Sequence, residues 1–455
     1  MSRYKRYERY KDSGVEWIGE IPEHWNNKKI SWIFNIIGSG TTPSTSNLEY
    51  YDGDVPWVNT GDLNDGYLYE TSKMITDLAL KDYSTLKFYP IDTLLIAMYG
   101  ATIGKLSITK IIATTNQACC ALAQPKNVNI KFIFYWFLAN RNHIIAMAYG
   151  GGQPNISQNL IKSLRINLPE KHEQNAIVNF LDQKTAEIDD LIADKEKLIE
   201  LLQEKRQAII TEAVTKGLNP NARMKDSGSE WISEIPQHWN LRRIKYLANV
   251  RNVKAVDSDN DKTYIGLENI ESRTGKLLLN RNDEQQLIGE TANIFKKGDV
   301  LFGKLRPYLA KCIIADFDGR CTSELLVLRT TSYILPEYLC FLMLSPKFID
   351  VVNSSTYGAK MPRASWDFIG NIQIPLPSIK EQEEIVEYLT EFMSRIDDLI
   401  SDINTQIQKL KEYRQSLISE AVTGKIDVRV FENKDEVIYS EQDSSPCREL
   451  THVAE

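Results

Sequence analysis

The sequence predicts an α+β protein built twice, with two pseudo-symmetric α+β globules, each followed by one long helix. Three observations predict it. Residues 11–30 read KDSGVEWIGEIPEHWNNKKI and residues 225–244 read KDSGSEWISEIPQHWNLRRI, with 14 of 20 positions identical at an offset of 214. Further echoes recur at an offset of 208: Glu173-Gln174 at Glu381, the IDDLI from Ile188 at Ile396, Arg206-Gln207 at Arg414, and the EAVT from Glu212 at Glu420. Within each copy, short β-rich runs give way to one long amphipathic stretch without Gly or Pro. A unit of roughly 210 residues far exceeds a solenoid repeat and is long enough to bury its own core.

Taken in order, each copy opens on W-I-x-E-I-P-x-H-W, at residues 17–25 and 231–239. The Pro and the flanking aromatic residues make His24 and His238 read as parts of a packed corner rather than as general bases. Apolar runs bounded by turn residues then predict strands at 93–100, 105–115, 299–304 and 324–329. Aromatic-rich stretches at 132–144 and 337–345 predict helices. Leu168-Pro169 and Leu376-Pro377 end an extended segment and let a helix begin just beyond.

The long helices carry a ladder of steps of four and three. From Ile177 it lands on Leu181, Lys184, Ile188, Leu191, Lys195, Leu198, Leu202, Lys205 and Ile209. Moved by 208, it lands on Ile385, Leu389, Phe392, Ile396, Leu399, Ile403, Gln406, Leu410, Tyr413 and Leu417. That is the 3.5-residue repeat of a coiled coil, on helices of roughly 40 residues and about 60 Å. An apolar stripe of that length has to be covered, so the two helices are expected to pack on each other. The division expected is a first globule at 1–168, its helix at 169–218, a second globule at 219–374, its helix at 375–428, and an acidic, unstructured tail at 429–455.

Net charge is −7 over 455 residues, but its distribution is uneven. Residues 1–168 carry 17 Lys/Arg against 14 Asp/Glu and residues 219–374 carry 21 against 18, so each globule is +3 while the helices and tail hold the acid. No run approaches the roughly 18 apolar residues of a membrane-spanning helix. The six cysteines form no CxxC and have no His at zinc-ligand spacing, which argues against a metal or disulfide framework and for a cytoplasmic protein with reduced thiols. Catalytic marks are missing as well. There is no Pro-Pro dipeptide of the kind that amino-methyltransferases use to hold a flipped base. The nearest phosphate-loop string, Gly100 to Leu106, is one residue short and places Leu where a hydroxyl is needed, so a strand turn is the expectation there. No catalytic and no metal-ligating residues are assigned.

The order of these strings, W-I-x-E-I-P-x-H-W, then L-P-x-x-x-E-Q at 168–174 and 376–382, then R-Q-x-x-I-x-E-A-V-T at 206–215 and 414–423, resembles the specificity subunit of type I restriction-modification enzymes. The resemblance covers residues 12 to about 428. It implies that each globule is a target recognition domain reading one part of a bipartite, asymmetric site in double-stranded DNA. It implies that the helices pair antiparallel as a spacer. It also implies two methyltransferase subunits bringing S-adenosylmethionine, and two restriction/translocase subunits bringing ATP and Mg, with no cofactor on this chain.

Candidate DNA contacts follow from two strings in the first globule, at 38–45 and 54–63, that resemble the family's recognition surface, and from polar and cationic residues on other loops. In the first globule they are Thr41, Thr42 and Ser44, then Asn59 and Thr60, with Lys105, Gln153 and Asn155 on two later loops. In the second they are Lys304, Arg306 and Lys311 in GKLRPYLAK, and Lys360 and Arg363 in YGAKMPRAS. The counterpart of the last loop in the first globule, YGGGQPNIS, has no cation, as expected of two readers of different bases. A second reading from another class is a coiled-coil scaffold with duplicated protein-binding globules. The seam alone permits it, whereas the diverged basic loops favour the DNA reading.

Overall fold

The computed structural model describes residues 4–15, 17–148, 155–256, 259, 261–278, 292–358, 360–429 and 431. Gln153 and nearly all of the acidic tail therefore lie outside the described residues. The chain divides into two compact units, residues 1–193 with 406–455, and residues 194–405. The division passes through both long helices, Lys171–Lys216 and Ile379–Val422.

In the first unit a five-stranded sheet runs in the order Phe34–Gly38, Cys119–Pro125, Leu94–Ala97, Leu106–Thr109 and Gly66–Leu68. Leu94 to Ala97 and Cys119 to Ala123 are buried, as continuous apolar runs in central strands must be. A three-stranded sheet of Thr114–Thr115, Tyr51–Val58 and Met74–Ile75 stands beside it. The aromatic helix Ile130–Ala146 buries Phe132, Trp136 and Phe137. In the second unit a four-stranded sheet repeats the pattern as Ala248–Val250, Leu325–Thr330, Val300–Gly303 and Cys312–Ile314. Tyr264–Ile265, Gly319–Thr322 and Ala292–Phe295 form the second sheet. The helix Pro336–Leu344 is followed at once by a second, Pro346–Ser354, because Ser345-Pro346 interrupts the turn. The strands and helices expected from the sequence are all present, except that the run 105–115 is broken into two strands between Thr109 and Thr114.

The repeated motifs meet in one corner of each unit. Glu173 is buried, and its carboxylate accepts from the Tyr7 hydroxyl at 2.7 Å and Trp25 Nε1 at 3.1 Å, with His24 Nε2 at 2.8 Å. Glu381 does the same work with His238 Nε2 at 2.7 Å and Trp239 Nε1 at 3.2 Å. The adjacent glutamines repeat as well. Gln174 donates to Pro169 O and accepts from the amide of Asn129, the N-cap of the aromatic helix. Gln382 donates to Pro377 O and accepts from the amide of Leu335, the N-cap of the equivalent helix. Each pair satisfies helix-start groups that would otherwise be buried without partners. His24 and His238 are thus parts of a structural lock, as their flanking Pro and Trp suggested.

The two long helices pack on each other as an antiparallel pair held by a reciprocal ion pair. In the first unit Arg414 Nε lies 2.8 Å from Asp189 Oδ1. In the second, Arg206 bonds Asp397, which Lys276 also meets at 2.6 Å. The step from Asp189 to Arg206 is 17 residues on one helix, and the step from Asp397 to Arg414 is the same 17 on the other. These partners belong to the IDDLI and RQ echoes, so the Asp of each copy binds the Arg of the other, as in an isologous interface.

The buried ladder differs in phase from the 3.5-residue reading. On the first helix the burial follows Ile177, Leu181, Thr185, Ile188, Ile192, Lys195, Ile199, Leu202, Arg206, Ile210 and Ala213. The second helix repeats it at 208 residues further on, through Ile385, Leu389, Met393, Ile396, Ile400, Ile403, Ile407, Leu410, Arg414, Ile418 and Ala421. Leu191, Leu198 and Leu399, expected on the seam, are 44%, 45% and 49% exposed, and Lys184 and Lys205 leave it too. The reason is helical phase. From Ile177 to Ala213 there are ten steps over 36 residues, or 3.6 per step, so the seam drifts by one position from a strict 3.5-residue ladder over its length. Two successive steps of four bring Thr185 inward, where its hydroxyl bonds Leu181 O, and turn Lys184 outward to Glu187.

Candidate functional site

In both units the sheet ends in an edge of interlocked loops. In the first, the strand Leu94–Ala97 runs into the loop 98–105, and Met98 bonds two neighbours: its amide donates to Ala118 O at 2.8 Å and its carbonyl accepts from Ile156 at 2.7 Å. In the second, Val300–Gly303 runs into 304–311, and Lys304 does the same with Glu324 O at 3.0 Å and Ala364 N at 2.9 Å. One backbone frame thus joins the loop after a core strand, the turn before the next strand and the loop before a closing helix.

What stands on the frame differs. In the first unit Asn116 is the hub. Its amide donates to Val58 O, its side-chain oxygen accepts from Ala118 N and Cys119 N, and its Nδ2 donates to Asn59 at 3.1 Å. Asn59 also closes a turn with Asp62, which positions Thr60. The loop 38–45 is pinned to this hub at Gly40, whose amide donates to Thr115 Oγ1 and whose place admits no side chain, since a Cβ would lie 1.8 Å from Thr115 O. Beyond that pin, Thr41 O accepts from Trp57 Nε1, Thr42 donates to Gln117 at 2.6 Å, and Ser44 pairs with Ser46. Of the expected contact residues, Thr41, Thr42, Ser44, Asn59 and Thr60 are brought together, Asn155 is exposed one residue from the Met98 bond, and Lys105 lies half-buried at the far end of its loop. The string from Gly100 to Lys105 is the turn between two antiparallel strands, as expected.

The second unit presents cations and tyrosines. Arg306 is exposed in the left-handed region at φ 50°, with Ala310 at 47°, a backbone state that costs a non-glycine residue about 1 kcal/mol or more and that the loop must enforce. The enforcing bonds are Arg306 N to Pro362 O and the reciprocal Tyr357 and Arg363 backbone pair. Tyr308, Tyr357 and Lys360 stand exposed on the same joined loops. Two expected cations are already engaged. Lys311 donates to Leu267 O at 2.6 Å, and burial lowers its pKa. Arg363 grips Glu324 through Nε and a terminal nitrogen at 3.0 to 3.2 Å.

Sequence reasoning missed Asn116, Gln117, Glu324, Tyr308 and Tyr357. The available signal was positional, since TTNQA and CTSEL both directly precede a central strand. The surroundings hold no poised nucleophile at the cysteines: burial pushes the thiols of Cys119, Cys120 and Cys321 up to about 12. Among the described residues no group of three His, Cys, Asp or Glu is placed to hold a metal ion, and no helix is long and apolar enough to cross a membrane.

The model of the family described as the type I restriction modification DNA specificity domain matches this chain twice, at residues 22–201 and 236–409. The chain belongs to this family. The starts of the two matches are 214 apart and their ends 208 apart, the same two offsets found in the motifs. The specificity subunit of the type I restriction enzyme EcoDI of Escherichia coli is 22% identical over 448 residues, with 95% of each chain covered. That of MjaIX from Methanocaldococcus jannaschii is 26% identical over 428 residues, covering 90% of this chain and 95% of the relative. A chain solved in work on complex assembly and conformational transition of the type I R-M system superposes with a TM-score of 0.66 at 14% identity, covering 88% of this chain and 98% of that one. The last likeness shows the fold alone. Specificity subunits are the non-catalytic members of type I systems.

Proposed function

We propose that this specificity subunit reads a bipartite, asymmetric DNA site, one part with the loop edge of each unit, and that it docks two methyltransferase and two restriction/translocase subunits. The observation that carries the reading is the contrast at the loop edges. One backbone frame carries hydroxyls and amides in the first unit, at Thr42, Gln117 and Asn155, and Arg306, Lys360, Tyr308 and Tyr357 in the second. Amides suit adenine and arginine suits guanine in the major groove, while hydroxyls and lysines suit phosphates. Chemistry belongs to the partners in this reading: S-adenosylmethionine on the methyltransferase subunits, ATP and Mg on the restriction/translocase subunits, all in the cytoplasm.

Genome-wide mapping of adenine methylation, with and without this gene, tests the proposal. Deletion is expected to abolish one bipartite motif, and Arg306→Gln with Lys360→Gln to relax one half of that motif while leaving the other unchanged. Methylation that is indifferent to the deletion, with a protein partner lost instead, would favour the scaffold reading.

A further inference from the structure

A second surface recurs in both units at the other end of the first core strand. In the first unit Asn26–Lys29 pairs with Arg165–Leu168 so that Lys29 stands opposite Arg165. The helical turn Ile30–Ile33 follows and leaves Trp32 60% exposed, with Lys29 Nζ 5.9 Å from its ring centre and Lys28 exposed alongside. The strand Phe34–Gly38 then runs from this surface to the loop edge, with Phe34 opposite Pro125 and Gly38 opposite Ala121. In the second unit Asn240–Arg243 pairs with Gln373–Leu376, and Tyr246 is 62% exposed with Lys245 Nζ 5.4 Å from its ring centre. Trp32 and Tyr246 are 214 positions apart, the offset of the opening motif.

These cations are set beside one another, with no carboxylate among the described residues to neutralise them. The polar partners of Arg165 and Arg243 are the amide oxygens of Asn27 and Asn371, and among the described residues Lys28, Lys29, Arg242 and Lys245 have no acidic partner. In the first unit Lys29 and Arg165 are like charges opposite each other on a ladder, which is destabilising, and in both units a large aromatic ring left in water gains nothing for the isolated fold. Both features become favourable against a polyanion that also offers an apolar face. A nucleic-acid backbone does so, with phosphates for the cations and sugar or base edges for the ring.

We propose that this repeated aromatic and cationic surface is a second DNA contact, separate from the loop edge, which holds the phosphodiester backbone without reading sequence. It rests on the DNA-reading function proposed above. The test uses the full chain assembled with its methyltransferase subunit. Binding is measured across a series of salt concentrations on a duplex carrying the methylated motif and on a scrambled duplex. The variants are Lys28→Gln with Lys29→Gln and Trp32→Ala, and Arg242→Gln with Lys245→Gln and Tyr246→Ala. Each is expected to weaken binding to both duplexes by the same factor, about three- to tenfold, and to reduce the slope of log affinity against log salt by about 2. Preference for the motif should be unchanged. An unaltered salt slope, or release of the methyltransferase subunit from the variants, would overturn the proposal, the latter by showing a protein-docking face. Failure of the unmutated complex to discriminate the duplexes would defeat the sequence-reading function instead, while the second contact is judged on the salt slope alone.

Discussion

The carboxylate corners and the loop edges of this specificity subunit make opposite use of the same duplication. At the corners the two units keep the same core contacts: a glutamate holds the His and Trp of the opening motif, and the next glutamine caps a helix start. At the edges they share backbone bonds and little else. The residues that repeat are those the fold needs twice, and the residues that differ are free to meet two different partners. The corners also differ in burial. The Glu173 side chain is 2% exposed and takes Tyr7 as an extra donor, whereas that of Glu381 is 30% exposed and takes Ser378 instead.

That inequality can be tested directly. Glu173→Ala strands three donors in a closed site and should destabilise the first unit by about 3 to 5 kcal/mol. Glu381→Ala should cost the second unit about 2 kcal/mol, because water can reach the orphaned groups. Hydrogen exchange resolved by segment measures both, and equal losses would show that burial does not set the strength of the corner.

The reciprocal ion pairs come next in size. Arg206 is buried and its partner Asp397 also meets Lys276, so Arg206→Ala should cost about 3 kcal/mol. Arg414 faces a half-exposed Asp189, and Arg414→Ala should cost about 1 kcal/mol or less. Thermal melts of the two variants rank them, and the reverse order would break the comparison.

The last effect is one of pH. Burial pushes the Glu381 carboxyl up, but bonds from His238, Trp239 and Ser378 outweigh it and bring the pKa down from 4.5 to about 2. A carboxyl held low in the fold adds stability that is fully present above its ordinary value and is lost as pH falls through the folded one. The second unit should therefore weaken between about pH 4.5 and pH 2, and Glu381→Gln should flatten that dependence. An identical acid response in the variant would remove Glu381 as its source.

Much of the frame was legible because repetition marks it. The repeated strings announced two globules, and the Leu-Pro pairs and Gly-free stretches announced the helices. The phase of the seam was not legible, because 3.5 and 3.6 residues per step differ by a single position over all ten steps, and where that extra residue falls decides between Leu191 and Ile192 and between Lys184 and Thr185. At the loop edges, residue type misled where charge is met internally. Lys311 and Arg363 are cations in the sequence, but a carbonyl and a carboxylate already hold them in the fold. Asn116 gave no signal because its importance lies in joining its own turn, through Ala118 and Cys119, to Val58 and Asn59, which are distant in sequence.

The division of the chain through both helices has a consequence for synthesis. The second unit, residues 194–405, is continuous and complete as soon as Thr405 has been made. The first unit combines residues 1–193 with 406–455, so its two parts are made with the whole second unit between them. A premature stop near residue 405 is therefore expected to damage the first unit, by removing the helix residues from 406 onward, although the second unit lies between them and the rest of it in sequence.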